Sequence, residues 1–194
     1  SSAASDVYKR QALGSSSLNA CQTGAANTIV GHQSGRLITG SDNTALGADT
    51  LYDCTSGSRN VAIGSGGNGY TAGALANLTT GSDNVAIGYR AMRDATGAGG
   101  TVAIGANALK SLNATKDSQI AIGNSALTTC TSGYNNIVIG ANAAQNLTTG
   151  HLNTVIGRTA GISITTGYTN CLFGDQSGYS ITTSYYNNAY GTYS

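Results

Sequence analysis

The chain has 194 residues and a net charge of +1, with 28 Gly, no Pro, no Trp, one Phe and only 9% charged residues. So weak a charge, without a basic cluster, excludes an electrostatic footprint for nucleic acid or an acidic membrane surface. No stretch approaches the roughly 18 apolar residues that span a bilayer. A polar chain of this kind is either disordered or held by backbone pairing repeated many times, and aliphatic residues recurring at fixed intervals favour pairing.

From the N-terminus, Asp6-Val-Tyr-Lys-Arg-Gln11 stands outside any repeat and resembles the translated end of a sequencing-library adapter. Residues 1–11 are therefore expected to be non-native, and 12–194 to form one repeat domain. Ala12-Leu-Gly14 then enters a register that persists to Asn187-Asn-Ala-Tyr-Gly191, so the chain reads as a window on a longer repetitive fibre. The clearest copies are Asn43-Thr-Ala-Leu-Gly47, Asn60-Val-Ala-Ile-Gly64, Asn84-Val-Ala-Ile-Gly88, Asn136-Ile-Val-Ile-Gly140 and Asn153-Thr-Val-Ile-Gly157. Looser copies end at Gly14, Gly31, Gly105, Gly123, Gly174 and Gly191. Steps between these glycines are 17, 16, 17, 24, 17, 18, 17, 17, 17 and 17. The step of 24 is a 17 with an insertion in Ser65–Gly73, expected to bulge from one loop without breaking the stack.

Other columns keep the same register. Seven before the glycine stand Gly24, Gly40, Gly57, Gly81, Gly133, Gly150 and Gly167. Ten before stand Cys21, Leu37, Cys54, Leu78, Cys130, Leu147, Ile164 and Ile181. Three after comes a small residue such as Thr50, Ala91, Ala108, Ala126, Ala143 or Ala160, often followed by Leu or Met. Seventeen residues cannot hold two helices, and fixed glycines penalise helix in every repeat. The period predicts an all-β parallel β-solenoid, or β-roll, of about eleven coils. Each coil is expected to hold two short strands and two turns, stacked at about 4.8 Å into a rod roughly 50 Å long. The glycine columns are expected to supply positive φ at corners. Asn, in eight of eleven places four before the glycine, is expected to form side-chain ladders between coils.

Alternation along Asn-Val-Ala-Ile-Gly puts the large residue before the glycine (Leu46, Ile63, Ile87, Ile104, Ile122, Ile139, Ile156, Phe173) and the residue three before on one face, the expected inner wall. The middle position (Ile29, Ala45, Ala62, Ala86, Ala103, Ala121, Val138, Val155, Leu172, Ala189) is then expected to form an outer stripe that admits copies of the chain around an axis.

Asn60-Val-Ala-Ile-Gly64, followed in other copies by a small residue and Leu, resembles the head repeat of YadA-like trimeric autotransporter adhesins. The fuller pattern Thr-Thr-Gly-x-x-Asn-x-Ala-x-Gly-x-x-Ala-Leu is similar to repeats of phage tail-fibre and microbial surface-fibre proteins. The resemblance runs from about Ala12 to Gly191, and this chain departs from the adhesin pattern in its longer coil. It implies a left-handed roll, three chains packed side by side, and an extracellular, non-catalytic binding or spacing role. No binding residue carries over, because the motif is structural.

Residues that could carry chemistry read as structure. Cys21, Cys54 and Cys130 share a column with Leu and Ile, Cys171 sits in a strand column, and two coils (roughly 10 Å) separate Cys21 from Cys54, too far for a disulfide. His32 and His151 lie seven coils apart, and Asp42 and Asp83 two coils plus the insertion apart. No catalytic, cofactor-binding or metal-binding residues are assigned, no cofactor is expected, and the chain is not expected to be an enzyme. Sequons stand at Asn77, Asn113 and Asn146, and five tyrosines between Tyr179 and Tyr193 suggest cover for a stack end or a subunit contact.

The expected function is a structural or adhesive segment of an extracellular fibre, a phage tail fibre or microbial surface adhesin. Receptor contacts are expected on Ser65–Gly73 and on turns such as Tyr89-Arg90 and Arg158-Thr159. Expected partners are copies of the chain, as a side-by-side trimer or end-to-end filament, and a cell-surface glycan or protein receptor. No nucleic acid and no membrane insertion are expected. The alternatives are a self-assembling filament subunit without a receptor and an ice-binding solenoid.

Overall fold

A computed structural model describes residues 9–19, 23–67, 73–113 and 118–194. Residues 1–8, Cys21 and the tip of the insertion lie outside them. The described chain contains no helix. Its strands are β1 (Gln11–Leu13), β2 (Thr28–Val30), β3 (Thr44–Leu46), β4 (Val61–Ile63), β5 (Val85–Ile87), β6 (Val102–Ile104), β7 (Ile120–Ile122), β8 (Ile137–Ile139), β9 (Thr154–Ile156), β10 (Cys171–Phe173) and β11 (Asn188–Tyr190). They form one parallel sheet in chain order, each residue opposite its equivalent in the next coil, as in Val61↔Val85 across the insertion. The protein is a parallel β-solenoid with about 17 residues per turn. Gln11, which the sequence places outside the repeat, pairs with Thr28.

Each coil contains one three-residue strand, where two were expected. The rest is turn. The amide three after the glycine donates to the glycine carbonyl, as in Ala91 to Gly88 (3.2 Å), and a second turn follows, as in Ala95 to Met92 (3.2 Å). These turns need left-handed backbone at two places after the glycine and one before the strand. In the coil after β6 they are Asn107 (φ 58) and Leu109 (φ 50); before β3 the place is Asp42 (φ 61). A buried Leu at such a φ costs roughly 1–2 kcal/mol relative to right-handed backbone, so core packing must over-determine it.

The two glycine columns have different causes. The strand-closing column does take positive φ, from 109 to 145. The column seven before it does not. Those glycines are required because coils touch there: a Cβ on Gly57 would strike the carbonyl of Gly81, and one on Gly150 the carbonyl of Gly167. Positive φ corners are instead held mostly by non-glycine residues.

The largest correction concerns the walls. Ala45, Ala62, Ala86, Ala103, Ala121, Val138, Val155 and Leu172 are buried at 0–1% exposure, so the small-residue stripe is the inner wall. Their flanking residues, such as Val85 and Ile87, face outward and are half-buried. The reason is volume. From the opposite turn, Leu51, Leu75, Met92, Leu109 and Leu127 fill the interior, so the strand can contribute only Ala. Where the strand contributes more, the turn contributes less. Ile29 is matched by Gly35, Val138 by Ala144, Val155 by Gly161 and Leu172 by Gly178. A Cβ on Gly35 would lie 3.2 Å from Ile29 Cδ1, and one on Gly178 2.7 Å from Leu172 Cδ1. From β2 to β10 the two side chains together supply three to five heavy atoms, a nearly constant volume, as a close-packed interior requires. Cys54, Leu78, Leu112, Cys130, Leu147 and Ile164 complete the core, and Ile38, not Leu37, occupies this column in the short coil.

The Asn column builds the expected ladder inside the coil. Asn60 donates both its backbone N–H and Nδ2 to Asn43 Oδ1 (3.0 Å each), and Nδ2 also donates to the Gly81 carbonyl (3.0 Å). Its own Oδ1 accepts from Asn84 N (3.1 Å) and Nδ2 (2.9 Å). Every polar atom of this fully buried amide is used, the condition under which a buried polar group is tolerated.

Candidate functional site on the outward strand face

The outward side chains of the strands form two parallel columns along the rod. One reads Val61, Val85, Val102, Ile120, Ile137 through the middle coils, with Thr28, Thr44, Thr154 and Cys171 beyond. The other reads Val30, Leu46, Ile63, Ile87, Ile104, Ile122, Ile139, Ile156, Phe173 and Tyr190. Neither column contains a charged residue. Leu46 is 48% exposed and Ile137 40% exposed. At strand spacing the face is about 50 Å long and about 10 Å wide, roughly 500 Å² in projection. That is the upper end of the apolar patch a monomeric protein leaves to water. Sequence reasoning missed it by assigning the larger side chains to the core.

Charges flank this face in the column before the Asn ladder. Arg59 lies between Asp42 and Asp83, and its Nε and Nη2 donate to the two carboxylate oxygens of Asp83 at 2.6 and 2.8 Å. The Asp83 carboxyl is held below its usual range by that hydrogen-bonded guanidinium. Arg59 pairs with Asp83 and stands between it and Asp42, so the two carboxylates are not brought together as a pair. Arg158 donates to Asp175 across one coil at 2.9 Å.

His32 and His151 stay on separate coils. His151 is part of an aromatic ladder: Tyr134, His151, Tyr168 and Tyr185 stack with centroids 4.7, 5.1 and 4.9 Å apart and planes within 8°. The ring faces inside the ladder are covered by one another. Tyr190 stacks on Phe173 at 5.6 Å. Tyr179 and Tyr193 line a cavity of about 640 Å³ at the end of the stack with Ile181 and Ala189.

The thiols of Cys54 and Cys130 are buried. Burial pushes the Cys54 thiol up to about 12 and the Cys130 thiol upward as well. Cys171 is half-buried on the outward face. Of the insertion, Gly66 donates to the Ala48 carbonyl (3.1 Å), and a Cβ on Gly73 would meet the Asp49 backbone at 2.5 Å. The described ends of the insertion thus lie against Ala48 and Asp49, and Asp49 is 4% exposed with no partner for Oδ1. Burial raises the Asp49 carboxyl above its usual range, against an opposing pull from His32. On the turns, the Arg90 guanidinium lies over the Tyr89 ring at 4.7 Å. Among the described residues, no group of three His, Cys, Asp or Glu is placed to hold a metal ion. Among the described residues no helix is long and apolar enough to cross a membrane.

No family model, curated protein or solved structure matches this chain.

Proposed function

We propose that the chain is a structural segment of an extracellular fibre, acting without catalysis as a rod whose copies associate side by side. The observation that carries this reading is the uncharged aliphatic face running along the strands. Burying roughly 500 Å² of it per chain gains about 12 kcal/mol at 25 cal/mol per Å², which association costs of 4–15 kcal/mol could cancel in a single pairing. Three chains around an axis bury the face against two neighbours each, in line with the trimer that the adhesin-like repeat implies. A matching 4.8 Å repeat on both partners lets every rung meet an equivalent rung, which favours copies of the chain over an unrelated surface.

The test is light scattering and electron microscopy of the chain, together with an Ile104→Lys, Ile122→Lys variant. A discrete oligomer that the double variant reduces to monomers is expected. A monomeric wild type would refute the side-by-side reading. Receptor adhesion is proposed on the insertion and on the Tyr89-Arg90 and Arg158-Thr159 turns. Cell or glycan binding that survives deletion of Ser65–Gly73 would remove the insertion's share.

An end-to-end filament without a receptor is the alternative reading. Open-ended filaments that keep growing with concentration would support it over a closed trimer. Against the ice-binding reading, the Thr hydroxyls of the regular coils donate to the next coil's carbonyl, as in Thr55 to Thr79 (2.9 Å) and Thr148 to Thr165 (3.0 Å). Thermal hysteresis would measure it directly.

A further inference from the structure

The column six places before the strand-closing glycine changes character along the rod. In the earlier coils it holds Ser41, Ser58 and Ser82, whose hydroxyls accept from the preceding coil, as Ser58 Oγ does from Ser41 N (3.0 Å). In the later coils it holds Tyr134, His151, Tyr168 and Tyr185, each 17 residues after the last. The constant step sets ring over ring, and the backbone is clamped beside them. Leu152 N donates to the Tyr134 carbonyl (3.1 Å), Thr169 N to the His151 carbonyl (3.0 Å) and Tyr186 N to the Tyr168 carbonyl (3.3 Å). Two residues further on the Asn ladder runs unbroken, with Asn170 Nδ2 on Asn153 Oδ1 (3.0 Å) and Asn187 Nδ2 on Asn170 Oδ1 (2.7 Å).

Within this ladder Tyr168 and Tyr185 are phenols in direct contact, with centroids 4.9 Å apart and planes within 8°. Rings displaced by one coil's rise place each ortho carbon over its equivalent at about the same separation. Tyr134 and Tyr168 have His151 between them, at 4.7 and 5.1 Å. Tyr186 touches both Tyr168 and Tyr185, but at interplanar angles of 74° and 81°, so a ring edge meets a ring face in place of edge over edge.

We propose that Tyr168 and Tyr185 are an oxidative coupling site, at which a dityrosine bond ties the coil of β10 to the coil of β11. The co-reactant is hydrogen peroxide acting through a one-electron oxidant of the peroxidase class. Each tyrosine gives up one electron and its phenolic proton, leaving a phenoxyl radical with spin on the ortho carbons. Two ortho carbons pair to form a C–C bond, and the hydrogens they carried move to the phenolic oxygens, which restores both rings. The chain loses two hydrogens, and one hydrogen peroxide becomes two waters. Side-chain rotation on the picosecond to nanosecond scale brings the stacked rings into bonding contact. A second chain at about 1 µM arrives only after about a millisecond even at the diffusion limit, so the bond forms within the chain. It adds a covalent tie to a stack in which each coil is otherwise held only by the coils beside it. The site does not depend on whether copies of the rod associate.

The test is peroxidase with limiting hydrogen peroxide on the full chain at about 1 µM. Cleavage after Lys and Arg and before Asp yields 117–158, 159–174 and 175–194, and Tyr168 is the only tyrosine of 159–174. The expected product is a monomeric chain two hydrogens lighter, with 159–174 joined to 175–194 through Tyr185. It should exceed joined chains at least about tenfold, as oriented intramolecular reactions do. Tyr185→Phe keeps a ring in the stack and should abolish the join, whereas Tyr186→Phe should leave it. His151→Tyr should add a coupling within 117–158 or between 117–158 and 159–174 that the wild type lacks. Oxidation that leaves Tyr168 uncoupled, or couples it mainly to another chain, would overturn the site. So would a wild-type join running mainly to Tyr179, Tyr186 or Tyr193, or one that persists in Tyr185→Phe.

Discussion

The volume match between strand and turn can be tested in a single coil. Ala103 and Leu109 are both fully buried, and Leu109 sits at φ 50. Leu109→Gly removes a buried side chain, a loss of about 2–5 kcal/mol, and relieves about 1 kcal/mol of left-handed strain, for a net cost of about 3 kcal/mol. Ala103→Leu alone forces a larger side chain into space that Leu109 already fills, costing about 2 kcal/mol. If the two were independent, the double variant would lose about 5 kcal/mol. The pair would instead reproduce Leu172 over Gly178, already present in the chain, and is expected to lose no more than about 2 kcal/mol. The coupling is then about 3 kcal/mol, at the upper end for residues in contact. Urea unfolding of the four proteins by far-UV circular dichroism, with m-values compared, measures it. Additivity within about 0.5 kcal/mol would refute the claim that the two columns share one space.

Three further outcomes are expected. Gly150→Ala should destabilise by about 3 kcal/mol in urea unfolding, because its Cβ meets the rigid Gly167 carbonyl of the next coil as well as the Leu147 side chain, and only the latter can move; the cost does not come from φ. Asp49 takes up its proton more readily folded than unfolded, so the folded state binds more protons above the ordinary carboxylate value. Stability should therefore fall as pH rises from 3.8 through the raised value, and Asp49→Asn should flatten that slope and raise the melting temperature at pH 7. In thiol labelling at pH 8, Cys171 should react while Cys54 and Cys130 stay protected until the chain unfolds, since their thiols are buried and resist ionisation; equal rates for all three would contradict the buried column.

The sequence by itself determined the period, the parallel in-register stacking and the Asn ladder. All three follow from like residues recurring at a constant step: a coil of fixed length must place each Asn over the last, and an amide can donate and accept along that line. Buried cysteines were legible for the same reason, since Cys54 and Cys130 alternate with Leu and Ile. Which wall faces inward was not. Alternation along a strand separates Ala62 from Val61 and Ile63 but carries no sign, and the rule that larger apolar residues go inside gives the wrong one here. The sign depends on what the opposite turn delivers, and Leu75 and its equivalents come from a turn whose left-handed backbone no single repeat reveals. The glycine seven before each strand end was recognisable as obligatory, yet its cause is the carbonyl of the neighbouring coil, a contact that exists only once the coils are stacked. The outward aliphatic face, and with it the candidate site, could be placed only by the tertiary structure, because a narrow interior already filled from one side leaves the other side room for little more than a methyl group.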